Sequence, residues 1–247
     1  MNKPLDGKYA LVTGGSRGIG AAIAKRLAMD GAHVTLTYAT SEEAANDVVR
    51  DIENSGGSAR AIHANAQQRG AGITAVKDVI EQQGALDILV SNAGVNIMKS
   101  LEAIQDDDYE KVFGINVRGT LELVRAAAIE MHPGSRIIII SATIANSFFA
   151  PSLGLYGASK AAVNGFVQGW SRDLGPKGIT INAVVPGPID TDMNPEDSEL
   201  GTQLHQMVPL GRHGRPEEVA ALTAFLAGPE SSYITGARMI IDGGMSV

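Results

Sequence analysis

Tyr9-Ala-Leu-Val-Thr13-Gly14-Gly15-Ser16-Arg17-Gly18-Ile19-Gly20 decides the fold: an apolar run, a glycine turn and the opening of an amphipathic segment follow one another without a break. Tyr9 to Val12 has the unbroken apolar character of a strand covered on both faces, as parallel sheets require. Ile19, Ile23 and Leu27 recur at four-residue steps and Gly31 follows, which predicts a helix with one apolar face and a glycine stop. At Gly14, Gly18 or Gly20 a side chain would hold the backbone away from a phosphate pair, while the free N–H groups of the helix start attract one. The turn, with Ser16, Arg17 and Ile19 inside it, reads as a dinucleotide site. Its G-x-x-x-G-x-G spacing is one residue longer than the common fingerprint. The plainer reading is a turn whose glycines only let helix and strand pack closely.

Outward from this stretch, strand and helix signals alternate to the end of the chain, which predicts right-handed βαβ units and a parallel sheet of about seven strands with helices on both faces. Further strands are expected at His33–Tyr38, Arg60–Ala64, Leu86–Ser91, Arg136–Ser141, Ile179–Val185 and Arg238–Asp242. A helix with a Thr40/Glu43 capping box should run to Gly56-Gly57. Others are expected at Ile73–Gln83, Tyr109–Met131, Tyr156–Leu174 and Glu217–Ala227. Pro186 to about Pro216 is rich in Pro, Gly and polar residues, with Leu200, Leu204 and Met207 at helical spacing, and reads as a lid carrying one short helix. No repeat or composition shift divides residues 1–247, so a single doubly wound Rossmann domain is expected.

Composition narrows the function. The chain has 247 residues, 44% of them hydrophobic, and a net charge of −7 without a basic run, which leaves nucleic acid without its main electrostatic attraction. There is no cysteine, hence no disulfide and no thiolate metal site. The start lacks an apolar signal core and Ile137–Ile140 is too short to span a bilayer, so a soluble cytoplasmic protein is expected. His33, His63, His132, His205 and His213 show no pair at helical ligand spacing; they read as surface or loop residues, and no metal is expected.

Tyr156-Gly-Ala-Ser-Lys160 places a phenol and an ammonium four residues apart on one helix face. A cation beside a phenol favours its ionised form, so such a tyrosine exchanges its proton nearer neutral pH, which suits carbonyl–alcohol interconversion.

Thr13–Gly20, Asn92-Ala93-Gly94, Asn116 within Gly-Ile-Asn-Val, Tyr156-x-x-x-Lys160 and Pro186-Gly187-Pro188-Ile189 occur together and in this order. In that combination the chain resembles the short-chain dehydrogenase/reductase family in its short, single-domain form, from about Leu5 to Gly244. The resemblance implies that Tyr156 is the general acid and that Lys160 binds the nicotinamide ribose and lowers the tyrosine pKa. It implies that Asn116 holds a relay water, that Asn92, Ala93 and Gly94 lie against the adenosine half of the cofactor, and that Ile189 and Thr191 meet the carboxamide and pyrophosphate. It also implies a homotetramer built on the two long helices, whose Leu121, Val124, Ala128, Phe166, Val167 and Trp170 exceed what one sheet contact uses.

The end of the fifth strand departs from the family pattern. Where that family has a serine that hydrogen-bonds the reacting oxygen, this strand ends Ile140-Ser141-Ala142-Thr143. Alignment by strand end puts Ala142 there, and counting back from Tyr156 puts Thr143 there. Thr143 is taken as the substitute donor. At the end of the second strand, where an NAD site usually carries Asp or Glu, stands Tyr38, followed by Ala39, Thr40 and Ser41. Those hydroxyls and Arg17 suit a 2′-phosphate, so NADP is expected over NAD. Asn65 replaces the aspartate usual near the adenine. The main expectation is an NADP-dependent oxidoreductase acting on a carbonyl or alcohol, with Phe148, Phe149, Leu153 and Leu155 as an apolar pocket wall. The alternative is a non-catalytic nucleotide-binding regulator, since Gly178–Asp192 and Arg212–Gly236 are locally similar to a cyclic-di-GMP-binding member of that family.

Overall fold

The structure, a computed structural model, describes residues 3–147 and 151–247, so Phe148 and Phe149 lie outside the described residues. Seven parallel strands, β1 (Tyr9–Val12), β2 (His33–Tyr38), β3 (Ser58–His63), β4 (Ile88–Ser91), β5 (Arg136–Ile140), β6 (Thr180–Pro186) and β7 (Arg238–Ile241), form one sheet in the order β3-β2-β1-β4-β5-β6-β7. Strand side chains alternate between faces, and so do the two cores. Ala10, Val12, Ile88, Val90, Ile138, Ile140 and Val184 pack on one side with α1 (Gly18–Met29), α2 (Glu42–Asn54) and α8 (Pro216–Ala227). Leu11, Leu89, Ile137, Ile139, Ile181 and Val185 pack on the other, with α3 (Ala71–Gln83), α5 (Thr120–Glu130) and α6 (Gly154–Leu174). Both faces are covered, which is why the strands read as continuous apolar runs.

The expected long helix over Tyr109–Met131 is three pieces: α4 (Asp106–Phe113), a π turn over Gly114–Gly119, and α5. Thr120 Oγ1 donates to the Asn116 carbonyl at 2.8 Å, supplying a partner within the widened turn. The capping box expected at Thr40 is absent: α2 begins after Ser41, and no side chain caps it. In the lid region only α7 (Glu199–His205) is helical, capped by Ser198 Oγ accepting from the Gly201 N–H at 2.9 Å. Val124 and Val167 are core residues, 3% and 0% exposed, rather than surface apolar groups.

Candidate active site

The strand order reverses direction between β1 and β4, and the crevice outside their carboxyl ends is where ligands bind in open α/β sheets. Here it is a cleft of about 670 Å³. Its walls include the glycine turn, the end of β2, the Asn92–Gly94 turn, the end of β5, α6 and the lid. The expected catalytic and cofactor residues line it except Asn116, and of the expected apolar wall Leu153 lines it and Leu155 does not.

The glycine turn is fixed by backbone contacts. Thr13 Oγ1 accepts from the N–H groups of Asn92 and Ala93 at 3.0 and 3.1 Å, and Asn92 Nδ2 donates to the Thr13 and Gly14 carbonyls at 2.9 and 3.1 Å. A Cβ at Gly20 would lie 2.2 Å from the Gly14 carbonyl oxygen, so this glycine lets the helix meet the turn, while it also lines the cleft. Gly18, at φ +54°, is different: a Cβ there would meet nothing closer than Thr191 Cγ2 at 3.4 Å, across the cleft mouth. Close packing thus accounts for Gly20, whereas Gly18 is open toward the cleft mouth.

Around the end of β2, Tyr38 packs edge-on against His63, and burial and the neighbouring Glu42 carboxylate push its phenol up. Glu42 thus puts an acid close to the position from which the sequence had removed one. Arg17 pairs with Asp192 at 3.6 Å with both side chains exposed, an interaction worth about 0–1 kcal/mol that a phosphate can displace. Asn65 Oδ1 accepts from the Gln67 N–H at 3.0 Å, which shapes the turn after β3.

On the reacting side, α6 presents Tyr156, half-buried, and Lys160, buried, to the cleft. The ammonium lies 5.7 Å from the centre of the Tyr156 ring and donates to the Ile140 carbonyl at 2.9 Å. Burial pushes Tyr156 up to about 12 and Lys160 down to about 8. With the ammonium engaged by Ile140, desolvation outweighs the expected lowering of the phenol.

Asn116 is buried and its side chain makes three hydrogen bonds. Oδ1 accepts from the Val95 N–H at 2.9 Å, and Nδ2 donates to the Val95 carbonyl at 3.0 Å and to Ser159 Oγ at 2.9 Å. It ties the β4 turn to α6 through Ser159, whose own hydroxyl donates to the Tyr156 carbonyl at 2.7 Å. Ser159 was not singled out from the sequence, because a serine between Tyr156 and Lys160 carries no signal of its own.

The backbone geometry bears on the strand-end ambiguity. Ala142 has extended backbone, with φ −162° and ψ 151°, so the side chains on either side of it point away from its own. Ser141 and Thr143 are buried and Ala142 is half-exposed at the cleft. Thr143 Oγ1 donates its single proton to the Pro186 carbonyl at 2.9 Å, leaving none for a substrate oxygen. The geometry therefore speaks against Thr143 as a donor; Ser141, Ala142 and Thr143 all line the cleft, and Ala142, the most exposed of the three, offers only a methyl group.

Beyond β6, Gly187 packs on Asp242, and Ile189 pairs with Gly214 through a parallel bridge that seats the lid. Leu153 is buried and Leu155 half-buried, with Leu153 lining the cleft. Of the histidines read as surface or loop residues, His213 lies in a loop but is buried, and His205, at the end of α7, is partly exposed. His213 is 1% exposed, and its Nδ1 lies 3.0 Å from His205 Nε2, beside Glu196.

A doubly wound sheet with a glycine turn at its switch point, facing a Tyr-x-x-x-Lys pair, defines a Rossmann-type oxidoreductase class. The family model described as enoyl-(acyl carrier protein) reductase matches residues 14–246, and the chain belongs to the short-chain dehydrogenase/reductase family. It is 44% identical to the cyclic-di-GMP-binding biofilm dispersal mediator protein of Escherichia coli (strain K12), over 96% of each chain. A short-chain dehydrogenase from Burkholderia cenocepacia J2315, solved in complex with NADP, is 46% identical with a TM-score of 0.97, covering 99% of this chain and 100% of the other. BdcA, solved in complex with NADPH, is 43% identical with a TM-score of 0.90, covering 98% and 95%.

Proposed function

We propose that the chain is an NADP(H)-dependent oxidoreductase that interconverts a carbonyl and an alcohol, with Tyr156 as general acid and base. The observation that carries this reading is the shared cleft, in which the Tyr156 ring and the Lys160 ammonium face the glycine turn. The residues fit a dinucleotide: the start of α1 offers free N–H groups at Gly18, where no side chain intervenes, and Arg17, Thr40 and Ser41 suit a 2′-phosphate. When bound, the cofactor supplies or accepts the hydride. The solved relatives with NADP and NADPH support the same choice.

In the reductive direction Tyr156 must arrive protonated, and a phenol pushed up to about 12 does so at neutral pH. In the oxidative direction it must take a proton, which requires the Lys160 ammonium to turn from the Ile140 carbonyl toward the phenol oxygen. A cofactor ribose binding Lys160 would favour that turn. Asn116 acts as a brace that positions α6 through its bonds to Val95 and Ser159. With a methyl group at Ala142, Tyr156 carries the charge on the reacting oxygen without a second donor, and turnover should be slow by about a hundred- to a thousandfold.

The test is NADPH consumption over a panel of ketones and quinones. Wild type should oxidise NADPH with at least one of them, and Tyr156→Phe should lose this activity while binding NADPH within a few-fold. Full activity in Tyr156→Phe would remove it from the mechanism. The chain is also proposed to be a cytoplasmic homotetramer, since Tyr109, Leu121 and Ile129 leave apolar surface exposed on α4 and α5. A monomer in light scattering would overturn the assembly.

The methyl group at Ala142 favours one second reading, a nucleotide-binding regulator like the cyclic-di-GMP-binding relative. Calorimetric binding of cyclic-di-GMP, together with no reduction across the panel, would select it.

A further inference from the structure

Three ligand atoms of the classes that hold transition metals converge beside the lid helix. His205 Nε2 lies 3.0 Å from His213 Nδ1 and 3.2 Å from Glu196 Oε1, and the three groups fall within 4.8 Å of one another. We propose that Glu196, His205 and His213 bind a divalent transition-metal ion of the zinc class, which fastens α7 beside the cleft.

The first argument is one of protons. Glu196 Oε1 is an acceptor, and each neutral imidazole offers one N–H and one lone pair. If His205 Nε2 carries a hydrogen, that hydrogen faces two acceptors at once. If it does not, its lone pair meets the carboxylate oxygen at 3.2 Å. His213 Nε2 is buried without a partner, so nothing on the far side of that ring fixes its tautomer, and Nδ1 takes the form that the group facing it requires. A cation at the centre satisfies all three lone pairs together.

The second argument is distance. Four ligands at the usual zinc bond length of about 2.0–2.1 Å stand about 3.3 Å from one another in a tetrahedron. Separations of 3.0 and 3.2 Å lie close to it, and the third, between His213 and Glu196, is within 4.8 Å. Two imidazoles and a carboxylate without thiolate select zinc, cobalt or nickel over magnesium or calcium, and water completes the fourth position.

The third argument is placement. Glu196 precedes α7, His205 ends it, and His213 stands next to Gly214, which bridges to Ile189 at the base of the lid. An ion joining them links both ends of α7 to the sheet rim. Leu200 and Leu204 of α7 line the cleft, so the ion would hold an apolar wall in place without touching the reacting groups.

The test uses tag-free, chelator-stripped chain without cofactor, titrated with Co²⁺ and followed by visible absorption. Wild type should take up about one equivalent with the spectrum of a four-coordinate site. His205→Ala and Glu196→Gln should each weaken binding on the order of tenfold or more, while His63→Ala leaves it unchanged. Zn²⁺ should raise the melting temperature of wild type and not of His205→Ala. No binding of either ion below millimolar concentration overturns the proposal, as does equal binding by wild type, His205→Ala and Glu196→Gln.

Discussion

The two ends of the cleft are built from different materials. At the end of β1, the proposed nucleotide side is held by backbone groups and short side chains: Thr13 and Asn92 make four hydrogen bonds that lock two turns together, and glycines set the approach. At the end of β5, the proposed reacting side depends on what individual side chains present: a methyl at Ala142, a hydroxyl committed to Pro186, an ammonium committed to Ile140. A backbone-built site persists through most substitutions around it. A side-chain-built site changes its chemistry with one residue, so a chain can keep the nucleotide site while its turnover drifts.

The sharpest way to test this contrast is Ala142→Ser. Adding a hydroxyl where the cleft now meets a methyl should raise turnover of a carbonyl substrate by about a hundredfold, read as kcat at saturating NADPH. Thr143→Val, by contrast, should leave kcat nearly unchanged and lower stability by about 1 kcal/mol, the worth of its bond to Pro186. A large loss of kcat in Thr143→Val would show that its hydroxyl reaches the substrate after all.

Next comes the nucleotide side. Gly20→Ala should destabilise the chain by about 1–3 kcal/mol in urea unfolding, because its methyl collides with the Gly14 carbonyl. A neutral result would mean that the turn yields easily and is less rigid than its hydrogen bonds suggest.

A pH series sharpens the reacting side. Lys160 is buried and its pKa falls from 10.5 to about 8 in the folded chain, so between those values the unfolded chain binds the extra proton and stability rises with pH. Below about 8 the lysine is charged in both states and the destabilisation is full. Urea unfolding of the cofactor-free protein should show a gain on the order of 1 kcal/mol from about pH 8 to about pH 9.5, and Lys160→Met should flatten it. An identical slope in that variant would assign the effect to another group.

The smallest effect is expected at the cleft mouth. Arg17→Ala should weaken NADPH by several-fold and NADH hardly at all, since only the former carries the 2′-phosphate and the Arg17–Asp192 pair is exposed. Equal losses for both cofactors would detach Arg17 from that phosphate.

The same contrast explains what could be read from the sequence. Continuous apolar runs and glycine stops place all the strands within about two residues, because sheet burial and turn geometry act locally. Tyr156 and Lys160 were legible because one helix carries both. What escaped depends on partners distant in the chain. Ser159 matters only because Asn116 reaches it, Glu42 only because its helix turns it toward Tyr38, and His205 and His213 only because the segment after α7 doubles back. The orientation of Ala142 likewise follows from one backbone angle pair that no spacing rule contains.

The π turn at Gly114–Gly119 has a bearing on how this chain can be edited. A turn closed five residues back, rather than four, holds one residue more than an α-helical turn. Deleting a residue there would let α4 and α5 fuse into one regular helix, gaining regular hydrogen bonds. The same deletion would rotate everything before it by about 100° relative to everything after, since each α-helical residue turns the chain by that angle. Asn116 could then no longer face Val95 and Ser159 while Leu123 and Val124 stayed in the core. The irregular turn lets two faces with different obligations share one helical rod, and straightening it would set the brace of the site against the packing of the sheet.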